Sequence, residues 1–395
     1  MPAGADRAPS RHEDGETDAE RLERVRRRFR EFGSEYASLP LYGAVSRSVA
    51  EDPTTAELLV AAQPGQARPV LWFAALHDLV LRQPDLRAAR WYASVVGRDS
   101  LPQGDPWPDV RATVLEHADE LRHLIASRTT QTNEVNRSVY LAATLAAAGR
   151  VGRESSAAPA SALGPVALVE LGASAGLLLG LDRYLVTAMT TDGIRTSVGD
   201  AASPVRCEGL DRSAGHPALG PLPPVLGRAG VDREPVDLED EDAVRWLLAC
   251  LWPDVPGRVE RFRAARQLMR SRRPPLVLQG DLVDDVAAGV DAARQQARGA
   301  GGVDHVIVYS SWALTYVERD RRAALAQKLA GVAETVPRLS WLTAEPPDCV
   351  PGLPDDPRTE GAPTVLGLRT WTAGAEAAPR LVGTAHPHGA WVDIW

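Results

Sequence analysis

Val166-Ala-Leu-Val-Glu-Leu-Gly-Ala-Ser-Ala-Gly-Leu177 is the stretch that decides the fold. Its first half is an apolar run of strand length, bounded by a glycine turn. Gly172-Ala173-Ser174-Ala175-Gly176 forms that turn, and a helix is expected to begin near Leu177. A strand that runs into Gly-x-x-x-Gly and then a helix gathers backbone N–H groups and a helix N-terminus at one point. Glycine is needed there wherever a ligand would meet a Cβ. Glu170 adds a carboxylate at the strand's end.

The turn has three readings. The first resembles motif I of class I S-adenosylmethionine-dependent methyltransferases, where an acidic residue precedes Gly-x-Gly-x-Gly. There the loop embraces the methionyl and ribose parts of the cofactor, so Glu170, Gly172, Ala173, Ser174 and Gly176 become cofactor-binding residues. Ser174 stands where the middle glycine is common and demands a roomier approach. The second reading is the nucleophile elbow Gly-x-Ser-x-Gly, with Ser174 as nucleophile and Glu345 and His386 or His388 completing a triad. Against it, such hydrolases place several strands before the elbow, and here the preceding 150 residues read as helical. Glu170 inside the elbow strand would also need buried partners. In the third reading the turn only packs a helix on a strand. The dinucleotide fingerprint Gly-x-Gly-x-x-Gly is not matched.

Working outward, residues 20–150 read as helices over about 20–37, 40–51, 54–63, 69–82, 107–127 and 133–148, broken by Pro40, Pro53, Pro64, Pro69 and Pro106. After the small-residue stretch 151–162 the texture changes to strands at 166–171, 276–279, 304–309 and 339–343. Helices at about 284–298 and 318–336 separate the later ones, which implies a parallel sheet. The part between about 191 and 275 is irregular, with strands near 195–198 and 205–208 and helices near 241–251 and 257–271. Between Glu345 and the strand 364–371 there is no crossover helix, so the chain is expected to return antiparallel. The strand 380–385 then rises again and delivers His386-Pro387-His388 to the edge that carries the glycine turn.

Other positions gather around this frame. Asp281, just past the strand 276–279, stands where methyltransferases commonly hold the adenine amino group; a helix cap is the plainer alternative. Glu208 and Asp200 compete for the ribose-holding acid, and Glu208 follows the better strand. Ser310-Ser311-Trp312 follows the strand 304–309, with Ser310 on the cofactor side and Trp312 as a substrate wall. Asn133, Asn136, Arg137 and Tyr140 fall at helical spacing into one polar stripe, and Glu134 lies three residues from Arg137. Asn133, Glu134, Arg137 and Tyr140 are therefore candidate substrate-binding residues, unless Thr132 caps the helix and the stripe faces water. His388, His386 and Glu345 are the candidate bases. No third ligand accompanies the two histidines, so no metal is expected.

Composition excludes several classes. The chain of 395 residues has 44 Lys+Arg against 52 Asp+Glu, a net charge of −8, which argues against a phosphate-gripping nucleic-acid partner. Its only lysine is Lys328, in a helix-like context, so neither a P-loop nor a Schiff-base enzyme fits. The basic run at Arg24–Arg30 alternates with Glu20, Glu23 and Glu31 and reads as a solvated helix face. Cys207, Cys250 and Cys349 form no CxxC pair, and a reducing cytoplasm is the default location. Residues 1–20 lack an apolar core and read as a disordered tail. The apolar stretch 162–181 contains Glu170 and glycines, so no membrane span is expected.

Taken together, these segments are similar to the domain-of-unknown-function 2332 family, common in high-GC actinobacteria. The resemblance rests on Thr132-Asn-Glu-Val-Asn-Arg137, Glu170-Leu-Gly-Ala-Ser-Ala-Gly-Leu177, Asp182-Arg-Tyr184, Gly199-Asp200 with Ser203-Pro-Val205, Arg245-Trp-Leu247 with Trp252-Pro253, Gly280-Asp281 and His388-Gly389. It covers about residues 25–395 and implies a Rossmann-type methyltransferase with a helical N-terminal region, without naming a substrate. Gly180 departs from the larger apolar residue expected before Leu181 and loosens the helix there. The expectation is an α/β protein: a Rossmann-like methyltransferase sheet, mostly parallel with an antiparallel C-terminal hairpin, and an all-helical N-terminal domain. The domains are a tail (1–20), the helical domain (21–150), a linker (151–162) and the sheet domain (163–395) with an insertion at about 200–275. S-adenosylmethionine is the expected cofactor and a small molecule the expected substrate.

Overall fold

The computed structural model of the chain describes residues 16–131, 133–150, 163–272 and 274–395. The expected linker, residues 1–15 of the expected tail and the Thr132 cap lie outside the described residues. The first helices are α1 (Asp18–Glu35), α2 (Tyr42–Glu51), α3 (Pro53–Ala56), α4 (Pro69–Arg82), α5 (Ala93–Val96), α6 (Trp107–Glu116) and α7 (Ala118–Ser127). Next come α8 (Ser138–Arg150), β1 (Val166–Leu171), β2 (Leu185–Thr190), β3 (Arg195–Gly199), β4 (Arg206–Asp211) and β5 (Val225–Asp232). Then follow α9 (Glu241–Ala249), α10 (Arg258–Ser271), β6 (Leu276–Gln279), α11 (Val286–Arg298), β7 (His305–Ser311), α12 (Arg319–Ala333) and β8 (Arg338–Glu345). The last strands are β9 (Thr364–Thr372), β10 (Ala375–Glu376), β11 (Arg380–Ala385) and β12 (Trp391–Ile394).

The chain divides into two compact units: the residues up to Asn133 with Leu238–Phe262, and Glu134–Asp237 with Arg263–Trp395. This differs from the division read in the sequence at two places. Helix α8 belongs with the sheet, and α9, inside the expected insertion, belongs with the N-terminal helices.

In the first unit, α1 opens with a Thr17–Glu20 capping box and buries Val25, Phe29 and Phe32. Glu23 pairs with Arg26 and Arg30 on its outer side, so the arginine run is an ion-paired surface. The core is aromatic: Phe73 stacks on Tyr42 with centroids 4.0 Å apart, and Trp252 meets Phe32 and Tyr36. Asp254 accepts from Leu41 N (3.1 Å) and Tyr42 N (2.8 Å), satisfying open donors at the start of α2. The helix expected over 107–127 breaks at His117, where φ −118° and ψ 25° leave the helical range.

The second unit is built on one twelve-stranded sheet in the order β3-β2-β4-β12-β11-β9-β8-β7-β1-β5-β6, with β10 beside β9. Strands β6, β5, β1, β7 and β8 run parallel. Strand β9 returns antiparallel to β8, as the missing crossover helix predicts, and β11 turns back again beside it. Strand β12 is antiparallel to β11, and β12, β4 and β2 are parallel before β3 closes the edge antiparallel. The result is a mixed, mostly parallel α/β sheet.

Helices α11 and α12 cover one face, over a core that includes Val169, Val231, Val290, Val308, Leu329 and Trp341. The opposite face holds α8, buried on every side from Ser138 to Gly149. A helix apolar all round must be enclosed, and α8 is in contact with β2, β4, β12, β11, β9 and β8.

A seven-residue 3-10 helix, Leu177–Arg183, occupies the place of the helix expected after the glycine turn, and β2 follows at once. A Cβ at Gly180 would lie 2.6 Å from the Tyr184 hydroxyl and 2.7 Å from Met269 Sδ, so only glycine lets this segment pack so closely. The Tyr184 hydroxyl donates to Leu177 O and pins the turn. Arg228 of β5 clamps it from the other side through Leu179 O and a two-pronged pair with Asp182. No helix among the described residues is long and apolar enough to cross a membrane.

Candidate functional site

In the five parallel strands the chain order reverses at β1: β5 and β6 build out on one side, β7 and β8 on the other. At such a reversal the connections leave in opposite directions and open a crevice at the carboxyl ends of the strands. The loops after β1 and β7 border it, and each contains a non-glycine residue in the left-handed region: Ser174 at φ 49° and Trp312 at φ 57°. Left-handed backbone at such residues costs about 1–3 kcal/mol each and clusters at functional sites.

Gly172 (φ 75°) and Gly176 (φ 66°) bracket the first loop. A Cβ at Gly172 would come within 2.7 Å of Ala313 Cβ, and one at Gly176 within 2.8 Å of Pro275. The glycines thus admit neighbouring protein, where the sequence reading had them admit a ligand. Four of the loop's N–H groups are also committed. Gly172 N and Ala173 N donate to Val231 O, Ser174 N to Asp232 Oδ2 at 2.7 Å, and Gly176 N to Ala173 O. Strand β5 thus supplies the acceptors for three of the loop's N–H groups.

Asp232 is the residue that sequence reasoning missed. It ends β5, beside β1, and holds the loop through Ser174 N and its own turn through Glu234 N (2.9 Å). Strand β5 was unreadable because Gly227 and Gly230 make Val225–Asp232 look like a loop. Each is required by close approach: a Cβ would meet Ala293 O at 2.0 Å or Ala173 Cβ at 2.5 Å. The signal that could have found it is an Asp that closes a short apolar run and is followed by a turn.

Glu208, the expected ribose acid, does not reach the loop. Strands β2 to β4 extend the far side of the sheet, so β12, β11, β9, β8 and β7 all lie between β4 and β1. Glu208 is exposed there, 3.5 Å from Arg195. Asp281 does lie past β6 on the correct edge. Its carboxylate is held by Arg233 (2.6 Å), Arg321 (2.7 Å) and Val283 N (2.9 Å). Although partial burial pushes its pKa up, these donors outweigh it and bring Asp281 to about 2. It therefore caps the turn into α11.

Two buried acids lie at the strand ends. Glu170 is 4% exposed and opposite Tyr309, whose hydroxyl donates to Oε2 at 3.3 Å. Burial pushes the Glu170 carboxyl well above its ordinary value, with the Tyr309 hydroxyl bond pulling the other way. Glu345, at the end of β8, is fully buried and accepts from Ala313 N and Leu314 N, one per oxygen, at 3.2 Å each. Burial raises it to about 7, with the two N–H groups, Ser310 and Arg137 pulling the other way. Ser310, fully buried, shares the face of Val306 and Val308, and its Oγ does not meet hydrogen-bond geometry with any partner.

The polar stripe becomes the hub of the second unit. Its residues 135–137 form a 3-10 turn before α8, where the sequence suggested regular helix, and Glu134 Oε1 accepts from Asn136 N at 3.0 Å. Asn136 donates to Glu208 O, His388 O and Gly389 O and accepts from Glu208 N. Arg137 donates to Pro387 O (3.2 Å) and Ser311 O (3.0 Å), and the Tyr140 hydroxyl meets Ser311 Oγ at 2.7 Å. The stripe thus faces the protein and not water. Glu134 makes no ion pair with Arg137; it caps instead. Asn133 is buried and ends the first unit.

His386 and His388 sit in a turn, not a strand, with ring centroids 5.7 Å apart; His388 N donates to His386 Nδ1 at 3.1 Å. Arg137 binds this turn and the end of β7 together. Trp312 donates from Nε1 to Thr364 Oγ1 at 3.0 Å and is partly exposed. Among the described residues no cluster of three His, Cys, Asp or Glu could hold a metal ion. No curated protein and no solved structure matches the chain. One family model does, over residues 26–395, and the chain belongs to that family, described as an uncharacterized protein conserved in bacteria (DUF2332).

Proposed function

We propose that this protein is an S-adenosylmethionine-dependent methyltransferase acting on a small molecule, on a Rossmann-like methyltransferase sheet. The observation that carries the reading is the parallel order β6-β5-β1-β7-β8, which sets the glycine loop of β1 and the terminal Asp232 of β5 side by side at the point of reversal. Asp232, and not Glu208, takes the ribose hydroxyls: it is only partly buried, and after its two backbone bonds each oxygen keeps lone-pair capacity. The loop Gly172–Gly176, with Ala173 and Ser174, lies against the methionyl part, and Trp312 walls the acceptor side. Asp281, already bound by two arginines, is not assigned to the adenine.

The cofactor supplies an activated methyl on a sulfonium, so alignment and exclusion of water do most of the work. Glu345, at about 7, is poised to take a proton from an acceptor near neutrality. His386 and His388 are the other candidates.

Calorimetry with S-adenosylmethionine and S-adenosylhomocysteine tests the reading. The wild type should bind both, and Asp232→Asn should weaken each about tenfold or more. Absence of binding at millimolar ligand would refute it. The left-handed backbone of Ser174 favours a second reading, a serine nucleophile. Stoichiometric labelling of Ser174 by a serine-directed phosphonate would establish that alternative.

A further inference from the structure

Among the described residues Arg137 is a buried cation without a carboxylate partner. It is 6% exposed, and both of its hydrogen bonds go to neutral carbonyls, Pro387 O and Ser311 O. Among the described residues no carboxylate comes within ion-pair distance of it. Arg228, equally buried at 7%, shows what this fold does with a structural arginine: it gives it a two-pronged carboxylate in Asp182. Arg137 receives none. Glu345 and Glu170 act on it only at longer range.

An uncompensated buried charge is expensive, and folds retain it where something else supplies the opposite charge. Nη2 makes no hydrogen bond to a described residue, yet it is not sealed from solvent. The rest of the side chain is fixed: Nε and Nη1 are tied down, and Tyr140 and Ser311 hold each other beside it. One edge of a planar fork is left open, at the carboxyl end of β7 and next to the proposed crevice. A guanidinium edge presented in this way matches a carboxylate.

We propose that Arg137 is the anion-binding residue of this site and that its ligand carries a carboxylate. As a statement about the substrate it rests on the methyltransferase reading, in which two molecules could bring that group: the methyl acceptor, or the cofactor through its amino-acid end. The role in anion binding stands without that reading.

Sodium succinate, compared with sodium chloride at equal ionic strength, is the probe, used on the full chain with calorimetry. The wild type should bind it saturably. Arg137→Met should lose about tenfold or more in affinity, and Arg137→Lys, which keeps the charge without the fork, should fall between. The lysine variant keeps the test usable if the methionine variant does not fold. Succinate binding to protein saturated with S-adenosylhomocysteine assigns the carboxylate to the acceptor. Competition between the two, with Arg137→Lys weakening S-adenosylhomocysteine but not 5′-methylthioadenosine, assigns it to the cofactor. Arginine-dependent succinate binding with no binding of S-adenosylhomocysteine would overturn the methyltransferase reading alone. Wild type that ignores succinate and variants that bind S-adenosylhomocysteine like wild type would overturn the role of Arg137.

Discussion

Glu345→Gln isolates the acid that closes β8. The folded protein raises this carboxyl from 4.5 to about 7, because burial outweighs the two N–H bonds from Ala313 and Leu314. The native state therefore holds the proton more tightly than the unfolded chain. Stability from this group is fully present below pH 4.5, falls as pH rises to about 7, and is level beyond. The whole loss is about 3.4 kcal/mol, of which about 2.5 kcal/mol falls between pH 5 and pH 8. Glutamine copies the protonated shape and cannot ionise, but it accepts only one of the two N–H groups well, which costs about 1 kcal/mol at every pH. The wild type has already lost about 0.8 kcal/mol of this by pH 5, so the variant should accordingly be about as stable as wild type at pH 5 and about 2.3 kcal/mol more stable at pH 8. Urea unfolding followed by tryptophan fluorescence measures both. Other titrating groups, Glu170 included, cancel in the comparison. A difference between variant and wild type that stays constant to within about 0.5 kcal/mol across this range would show that Glu345 is not a buried, perturbed acid.

Three further outcomes are expected. Gly172→Val forces a branched side chain into φ 75° with its Cβ 2.7 Å from Ala313 Cβ, and should lower urea stability by about 2 kcal/mol or more while abolishing S-adenosylmethionine binding. Asn136→Ala removes the bonds to Glu208, His388 and Gly389 and should cost about 2–4 kcal/mol, with hydrogen exchange rising first in the turn 386–389. Arg228→Ala strands Asp182 and frees Leu179 O; because Asp182 keeps some solvent, a loss of about 2–3 kcal/mol is expected in the same assay.

How far the sequence could be read depended on whether an element's signal was local. Helix α4 and strands β1, β6 and β11 fall within their expected bounds because proline, glycine or polar residues punctuate them on both sides. The antiparallel return after Glu345 was also legible, since a missing crossover helix leaves no other course. Strands β2 and β5 were not. Strand β2 follows at once on the 3-10 turn, where the sequence reads a helix, and in β5 Gly227, Arg228 and Gly230 blur the pattern, though each is made suitable by a neighbour far away in the chain.

The candidate site divides in the same way. Glu170, the glycine turn, Ser310, Trp312 and Arg137 were visible as chemistry at element ends, and the structure brings them to one edge of the sheet. Glu208 and Asp200 were the acids the sequence offered for the ribose, because β5 did not read as a strand and Asp232 therefore did not read as a strand end. Only the pairing of β5 with β1, and of β4 with β12, separates Glu208 from Asp232.

By itself the sequence determined that this is an α/β chain with a glycine turn after its first strand, acidic and nearly without lysine. Those properties follow from periodicity, turn chemistry and charge, which are local. The tertiary structure decided which strand lies beside β1, that α8 sits within the sheet's own unit, and that Arg137 is buried with no carboxylate among the described residues at ion-pair distance. Each of these is a property of long-range pairing. Burial changes what a charged group requires, and no local pattern of residues records what the fold will place against it.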